Sequence, residues 1–571
     1  MGLEIVQLAV KTATFENDLT QDRRDQTQDL QRALGRVVSC DGSRATIAST
    51  VAGMAKLGPE SWTVGRMISI NLGFSRIVGL VYEMTAVNPT WDEGSDNAIH
   101  VQVELLGEVT ETADGRTSFQ SGISTYPPIG AVAHRIRASD LALVHDLGTR
   151  KAVAIGTLTQ DPTIPATVCI DDMLARHFAL LGTTGVGKSS AVALLLRRAI
   201  ASRPRLRVLI LDPHNEYASA FPDRALAIDA EGLDLPFWMF KLEEFAEVVF
   251  RGRLAFDEEA DILREVVGAA RERYRSGSLR NSMRDLNSTL LKRPLDVGQG
   301  RREESAGSAG DMPTPYRIID VLAIIDDLIG MHEKRWPHAS LRSLKVRLEA
   351  LHGDPRYHFM FARANMMETM APVIAQIFRV PHHGRPITVF QLGGLPSEVV
   401  DAVASVLARL SFDLAMASQG TYEILLLCEE AHRYVPANPT LGFLPTRQAI
   451  ARIAKEGRKY GAYLGVVTQR PGELDPTILS QCSTIFAMRL ANEVDQQIIR
   501  SAISDASAST LKFLSSVGNR EAIAFGEGVA TTMRMRFAEV PRHELPAMDV
   551  VAGVEGRREP GLDDMVRRMR G

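Results

Sequence analysis

The stretch 180-LLGTTGVGKSS-190 stands between an apolar run, 177-HFALLG-182, and a segment with helical spacing, 189-SSAVALLLRRAIA-201. It fits the pattern G-x-x-x-x-G-K-[ST] at Gly182, Gly187, Lys188 and Ser189, with the strand before it and the helix after it that this pattern requires. In such a loop the glycines let backbone N–H groups turn inward around phosphates at a helix N-terminus. Lys188 then reaches the β/γ oxygens, and the Ser189 hydroxyl can ligate Mg²⁺. Residues Gly182, Thr183, Thr184, Gly185, Val186, Gly187, Lys188, Ser189 and Ser190 are the candidate nucleotide cradle, with ATP and Mg²⁺ as the expected cofactors. The plainer reading is a glycine-rich turn that happens to precede a helix.

Working outward, 206-LRVLILD-212, 387-ITVFQL-392, 422-YEILLLC-428, 462-AYLGVVTQ-469 and 483-STIFAMRL-490 are continuous apolar runs. Runs of this kind are expected of parallel strands covered on both faces. Between the second and third runs lie about 140 residues of mostly helical pattern, too long for a connection, which reads as an inserted subdomain. Its middle, 295-LDVGQGRREESAGSAGDMPTP-315, is expected to be a mobile loop. Residues 33 to 160 instead read as about six short strands separated by Gly/Pro/Asp clusters, which suggests a small β-barrel. The expected fold is therefore α/β, a RecA-like P-loop ATPase core with an N-terminal β-barrel and an inserted helical subdomain. The expected boundaries are an extension to 32, the barrel over 33–160, the core over 161–236 and 381–545, the insertion over 237–380 and a tail from 546.

Hydrolysis needs one carboxylate near the metal and another to orient water, usually at the end of a neighbouring strand. The segment 424-ILLLCEEAHRY-434 offers Glu429 for Mg²⁺, through water, and Glu430 to polarise the attacking water. Position 429 is Glu where Asp is commoner, so the assignment of the base between the two stays open. In 212-DPHNEY-217, Asp212 and Glu216 fall at the carboxyl edge of the sheet, either as ligand residues or as a turn and helix cap. Gln469, at the end of the fifth run, can contact both the γ-phosphate and the water, or be a loop residue. In 446-TRQAIARIAKEGRKYG-461, Arg447, Ala451, Ala454 and Arg458 share one helical stripe, with Gly461 as a stop. Arg458 is either a finger into a neighbouring subunit's site or part of a solvated basic face.

Composition sets limits on partners. The chain has 571 residues and a net charge of only −4, so no whole-molecule basic field draws it to nucleic acid or an anionic membrane. A local patch or an assembled surface must do so. Four scattered cysteines without metal-ligand spacing suggest a reduced, cytoplasmic protein. The start turns polar too early for a signal peptide, and no uncharged apolar stretch approaches 20 residues, so no membrane span is expected.

Taken in order, the barrel, LLGTTGVGKSS, LDPHNEY, the inserted helices, LLLCEEAHRYVP, AKEGRKYGAYLGVVTQRP and AFGEGVA (524 to 530) resemble the HerA family of DNA-translocating ATPases. The resemblance runs from about residue 33 to the end. It implies a homohexamer with ATP between neighbours, double-stranded DNA in the central channel and Arg458 as the finger acting in trans. It also implies a nuclease or other effector docked on the barrel, in DNA end processing or anti-phage defence. The tail 561-GLDDMVRRMRG-571 resembles in position the family's tail against an adjacent subunit. The other functional reading is a ring scaffold whose ATP binding organises a partner enzyme with little translocation.

Overall fold

The computed structural model describes residues 33–546 apart from 51–61, 74, 89, 93–95, 112–115, 230–231, 251–256, 283–312, 331–334, 362–369 and 503–509. The tail at 561–571 and nearly all of the expected mobile loop lie outside the described residues. The chain divides into two compact units. One holds Met1–Met173, Leu180–Gly187 and Ser483–Glu539; the other holds Leu174–Ala179, Lys188–Cys482 and Val540–Gly571.

In the first unit, β1 (Ala33–Cys40), β2 (Arg44–Thr50), β3 (Met67–Asn71), β4 (Ser75–Ala86), β5 (Ala98–Glu111), β6 (Thr117–Ser121) and β7 (Val132–Arg135) make one antiparallel sheet. Its order is β2-β1-β7-β3-β4-β5, and β2 pairs again with β5, so six strands close into a barrel while β6 hangs from β5. Ile47, Val81, Val101 and Val103 fill the interior and are fully buried. Trp62 closes it, donating its indole N–H to Ser49 Oγ at 2.9 Å. Closure needs a sharp bend, which β4 makes at a register shift between Val78 and Gly79. A Cβ on Gly79 would stand 2.3 Å from Val103 Cγ1, so glycine is required where the strands approach.

The remaining strands are β8 (Ala152–Leu158), β9 (Pro165–Cys169), β10 (Phe178–Leu181), β11 (Leu206–Asp212), β12 (Ala225–Ile228), β13 (Ile387–Gln391), β14 (Glu423–Cys428), β15 (Ala462–Thr468), β16 (Thr484–Ala487), β17 (Glu521–Gly526) and β18 (Met533–Phe537). In the first unit β16, β17, β18, β8 and β9 pair antiparallel in that order. Strand β16, expected among the parallel runs, is thus paired antiparallel with β17. The close fit is made by Gly526 at φ 103°, where a Cβ would fall 1.7 Å from the Ser483 carbonyl oxygen.

The second unit carries a parallel sheet in the order β12-β13-β11-β14-β15. Every residue of β11 and β15 is buried, and so is all of β14 after Glu423, which accounts for their unbroken apolar runs. Strand β12 escapes sequence reasoning because four residues at a sheet edge leave too weak a pattern. Helices α1 (Lys188–Ser202), α2 (Leu242–Phe250), α3 (Asp257–Ser282), α4 (Ile318–Gly330), α5 (His338–Gly353), α6 (Met370–Phe378), α7 (Ser397–Ala417) and α8 (Leu444–Glu456) accompany it.

Helices α2 and α7 are joined by a buried ion pair. Arg409 donates to both oxygens of Glu244 at 2.9 Å, Ser405 Oγ adds a third bond, and the second Arg409 donor also reaches the Met239 carbonyl. Both side chains are buried. Removing one partner strands the other charge without water, at a cost of about 3–5 kcal/mol. The Glu244→Ala variant is therefore expected to melt well below wild type, read by calorimetry, whereas Glu244→Gln, which keeps part of the bonding, should lose less.

Candidate functional site

The parallel register of the second unit brings three strand ends to one level. Leu211 on β11 lies opposite Cys428 on β14, and Cys428 lies opposite Val466 on β15. The chain therefore leaves the sheet side by side at Asp212, Glu429 and Gln469, on the carboxyl edge where α/β proteins bind ligands.

Lys188 opens α1 and is buried, only 8% exposed. Burial pushes its pKa down, and the charges of Glu429, Glu430 and Glu216 push it back up. An ammonium in this position needs those carboxylates, because an unpaired buried charge costs several kcal/mol. Ser189 donates its hydroxyl proton to Glu216 Oε2 at 2.8 Å. Ser190 follows in the first turn of α1, partly buried.

Glu429 and Glu430 are both buried, at 4% and 5% exposure. Glu429 accepts a 2.6 Å hydrogen bond from the Tyr217 hydroxyl, and its own N–H donates to the Leu211 carbonyl. Burial lifts its pKa to about 8. Glu430 sits at φ 50°, ψ 50°, the left-handed region that a non-glycine residue adopts at a cost of order 1–3 kcal/mol. The strain reverses the chain at the strand end and aims the second carboxylate differently from the first. Around it stand His432 Nδ1 at 3.3 Å, His214 Nε2 at 3.9 Å and the Gln469 backbone N–H at 3.5 Å. His432 Nδ1 also lies 2.9 Å from Thr468 Oγ1.

The two acids of 212-DPHNEY-217 divide the labour. Asp212 is fully buried and accepts from the backbone N–H groups of Glu216 and Tyr217, so it shapes its own turn. Glu216 faces Ser189. Sequence reasoning does not choose between ligand and cap for Glu216, and it does not find Tyr217 at all, because a tyrosine in a turn carries no spacing signal. The same holds for His432, visible only as the second residue after Glu430.

In the first unit the phosphate-type loop is strapped by backbone. Thr183 donates its N–H and its hydroxyl to the Arg489 carbonyl, and Arg520 donates its N–H to the Val186 carbonyl at 2.9 Å. Gly185 and Gly187 adopt φ 77° and 101°, and a Cβ on Gly182 would stand 2.8 Å from that of Met488. Thr184 and Gly185 are exposed at the tip. Within the second unit, Ser189, Glu216 and Glu429 offer oxygen atoms that could hold a divalent cation such as Mg²⁺.

Arg458 is not on the helix expected for it. Helix α8 ends at Glu456 and Arg458 lies exposed in a 3₁₀ turn, Gly457–Lys459, before Gly461 at φ 81°. The helix stops there because Gly457 abuts the next strand, where a Cβ would meet the Ala462 carbonyl oxygen at 2.3 Å. Arg447, at the other end of the stripe, is held by the Pro439 carbonyl and Asp475.

Residues 153–411 match the family described as helicase HerA, central domain. Over this central part the chain is similar to the HerA family. The DNA double-strand break repair helicase HerA of Pyrococcus furiosus is 23% identical over 479 residues, 78% of each chain. That of Saccharolobus solfataricus is 26% identical over 364 residues, 62% of each chain. The solved structure of VirB4 of Thermoanaerobacter pseudethanolicus covers 70% of this chain and 98% of its own, with 17% identity and a TM-score of 0.46.

Because Glu429 has a folded pKa of about 8 against an ordinary 4.5, the folded state holds an extra proton between those values, and stability falls as pH rises through them. Without nucleotide or metal, Glu429→Gln is expected to melt above wild type at pH 8.5, with the gap closing toward pH 5. Thermal denaturation across that range measures it.

Proposed function

We propose that this protein is a member of the HerA family that hydrolyses ATP and uses it to move along double-stranded DNA as a homohexamer, in DNA end processing. The observation that carries the reading is the meeting of Lys188 and Ser189, at the head of α1, with Glu216, Glu429 and Glu430 at the carboxyl edge of the parallel sheet. That set supplies every charge that phosphoryl transfer to water requires of a protein: a cation for the phosphates, carboxylates for a metal, and a second acid for the water.

In this reading the backbone N–H groups of Gly182–Gly187 and the Lys188 ammonium hold the phosphates. Ser189 and Glu429 hold Mg²⁺, with Glu216 accepting from Ser189. Mg²⁺ supplies neutralisation of charge on the phosphate oxygens. Glu430, aimed by its left-handed backbone and flanked by His432, orients and deprotonates the water. Gln469, one residue beyond β15, senses the outcome at Glu430. Arg458, exposed in its 3₁₀ turn, would act in a neighbour's site.

The relatives' names as DNA repair helicases support DNA as the track. With a net charge of −4 per subunit, basic residues from six copies would grip phosphates in the channel without reading sequence. On the barrel, Tyr126 and Ile129 are 52% and 76% exposed, apolar side chains suited to docking a nuclease or other effector. Among the described residues no helix is long and apolar enough to cross a membrane.

ATP turnover with and without linear duplex DNA tests this reading. DNA should stimulate turnover, and Lys188→Ala and Glu430→Gln should abolish it, the latter by roughly 10²–10⁴-fold as expected for loss of a general base. Arg458→Ala should lose roughly 10³-fold or more while the hexamer persists by mass measurement. Turnover that is indifferent to DNA until an effector is added would instead favour a ring scaffold organising that effector.

A further inference from the structure

The first unit contains a cavity of about 460 Å³ between the barrel and the β8–β18 part of its antiparallel sheet, remote in sequence from every residue assigned above. Its size falls in the ~300–1,000 Å³ range of small-molecule sites. Leu80, Leu158 and Phe513 give it an apolar body, while Arg66 and Arg534 supply charge. Among the described residues, no acidic side chain lines it.

Both of its charged lining residues, Arg66 and Arg534, are cationic. The charge balance agrees. Arg534 donates to Glu521 at 3.0 Å, but Glu521 also holds Arg536 at 2.8 Å, so one carboxylate serves two guanidiniums and positive charge is left over.

The histidine adds no charge. Thr531 Oγ1 donates to the Val144 carbonyl, so it accepts the Nδ1–H of His145 at 3.0 Å, and Nε2 is left as a neutral acceptor. Burial pushes the His145 pKa down to about 4, which keeps the ring neutral. The wall is preformed: the Gln160 side chain grips both the N–H and the carbonyl of Met67, at 2.8 and 3.1 Å.

We propose that this cavity binds a small amphipathic anion, an apolar body bearing one carboxylate, sulfonate or phosphate group. The anion sits against the Arg66 guanidinium, and the body lies on Leu80, Leu158 and Phe513. This site is separate from the nucleotide reading and does not depend on it.

The test is a fluorescence titration of the full chain with 8-anilinonaphthalene-1-sulfonate and with its uncharged parent, N-phenyl-1-naphthylamine. The sulfonate is expected to saturate at one per chain and to bind roughly tenfold tighter than the parent, the worth of one charged hydrogen bond. Arg66→Met should erase that preference and leave the parent's affinity unchanged. Ala530→Trp, which fills the cavity from a lining loop residue, should abolish binding of both probes. Absence of saturable binding to wild type, or equal sulfonate affinity in wild type and Arg66→Met, overturns the proposal. Should Ala530→Trp fail to fold, Arg66→Met decides alone.

Discussion

An ammonium buried beside three carboxylates is the constraint around which the second unit is organised. Lys188 cannot stand in this interior alone, and neither can Glu429 or Glu430, whose side chains are almost as inaccessible. Lys188 gains from the charges of these acids, and their placement brings the start of α1 and the ends of β11 and β14 to one point. A lowered lysine pKa and a raised glutamate pKa are two faces of the same dehydration.

Parallel pairing meets that demand. Evenly stepped parallel strands leave their carboxyl ends level, so side chains far apart in sequence, from Asp212 to Gln469, emerge together. The segments leaving the strands then differ according to their local chemistry. Asp212 spends its carboxylate on its own turn, Tyr217 ties the next turn to Glu429, and Glu430 takes a left-handed backbone that separates its direction from that of its neighbour. The metal and water roles proposed for the adjacent acids rest on this difference in backbone, which identical residue types in sequence do not reveal.

The first unit solves a different problem, that of edges. Six strands close on themselves, with glycine at the tight approach on β4, and the antiparallel sheet beyond the barrel includes arginine-bearing β18. There a single glutamate, Glu521, balances two arginines, of which Arg534 lines a cavity. The phosphate-type loop in this unit is held by main-chain bonds from Arg489 and Arg520, so its shape depends little on its own side chains.

The sequence by itself determined the motif loop, the apolar strands, the barrel and the paired acids, because each is written in local pattern: glycine spacing, unbroken apolar runs, alternation, and charge at a run's end. It also carried an order of motifs that resembles the HerA family. Tertiary structure alone decided that Glu216 rather than Asp212 meets Ser189, that Tyr217 and His432 hold the two glutamates, that β16 pairs antiparallel, and that Arg458 sits beyond the end of its helix. The Ser189–Glu216 and Tyr217–Glu429 bonds span 27 and 212 residues of chain, His432 depends on the backbone turn at Glu430, and Arg458 on the close approach of Gly457 to Ala462. Local propensity has no term for a partner that folding has yet to bring near.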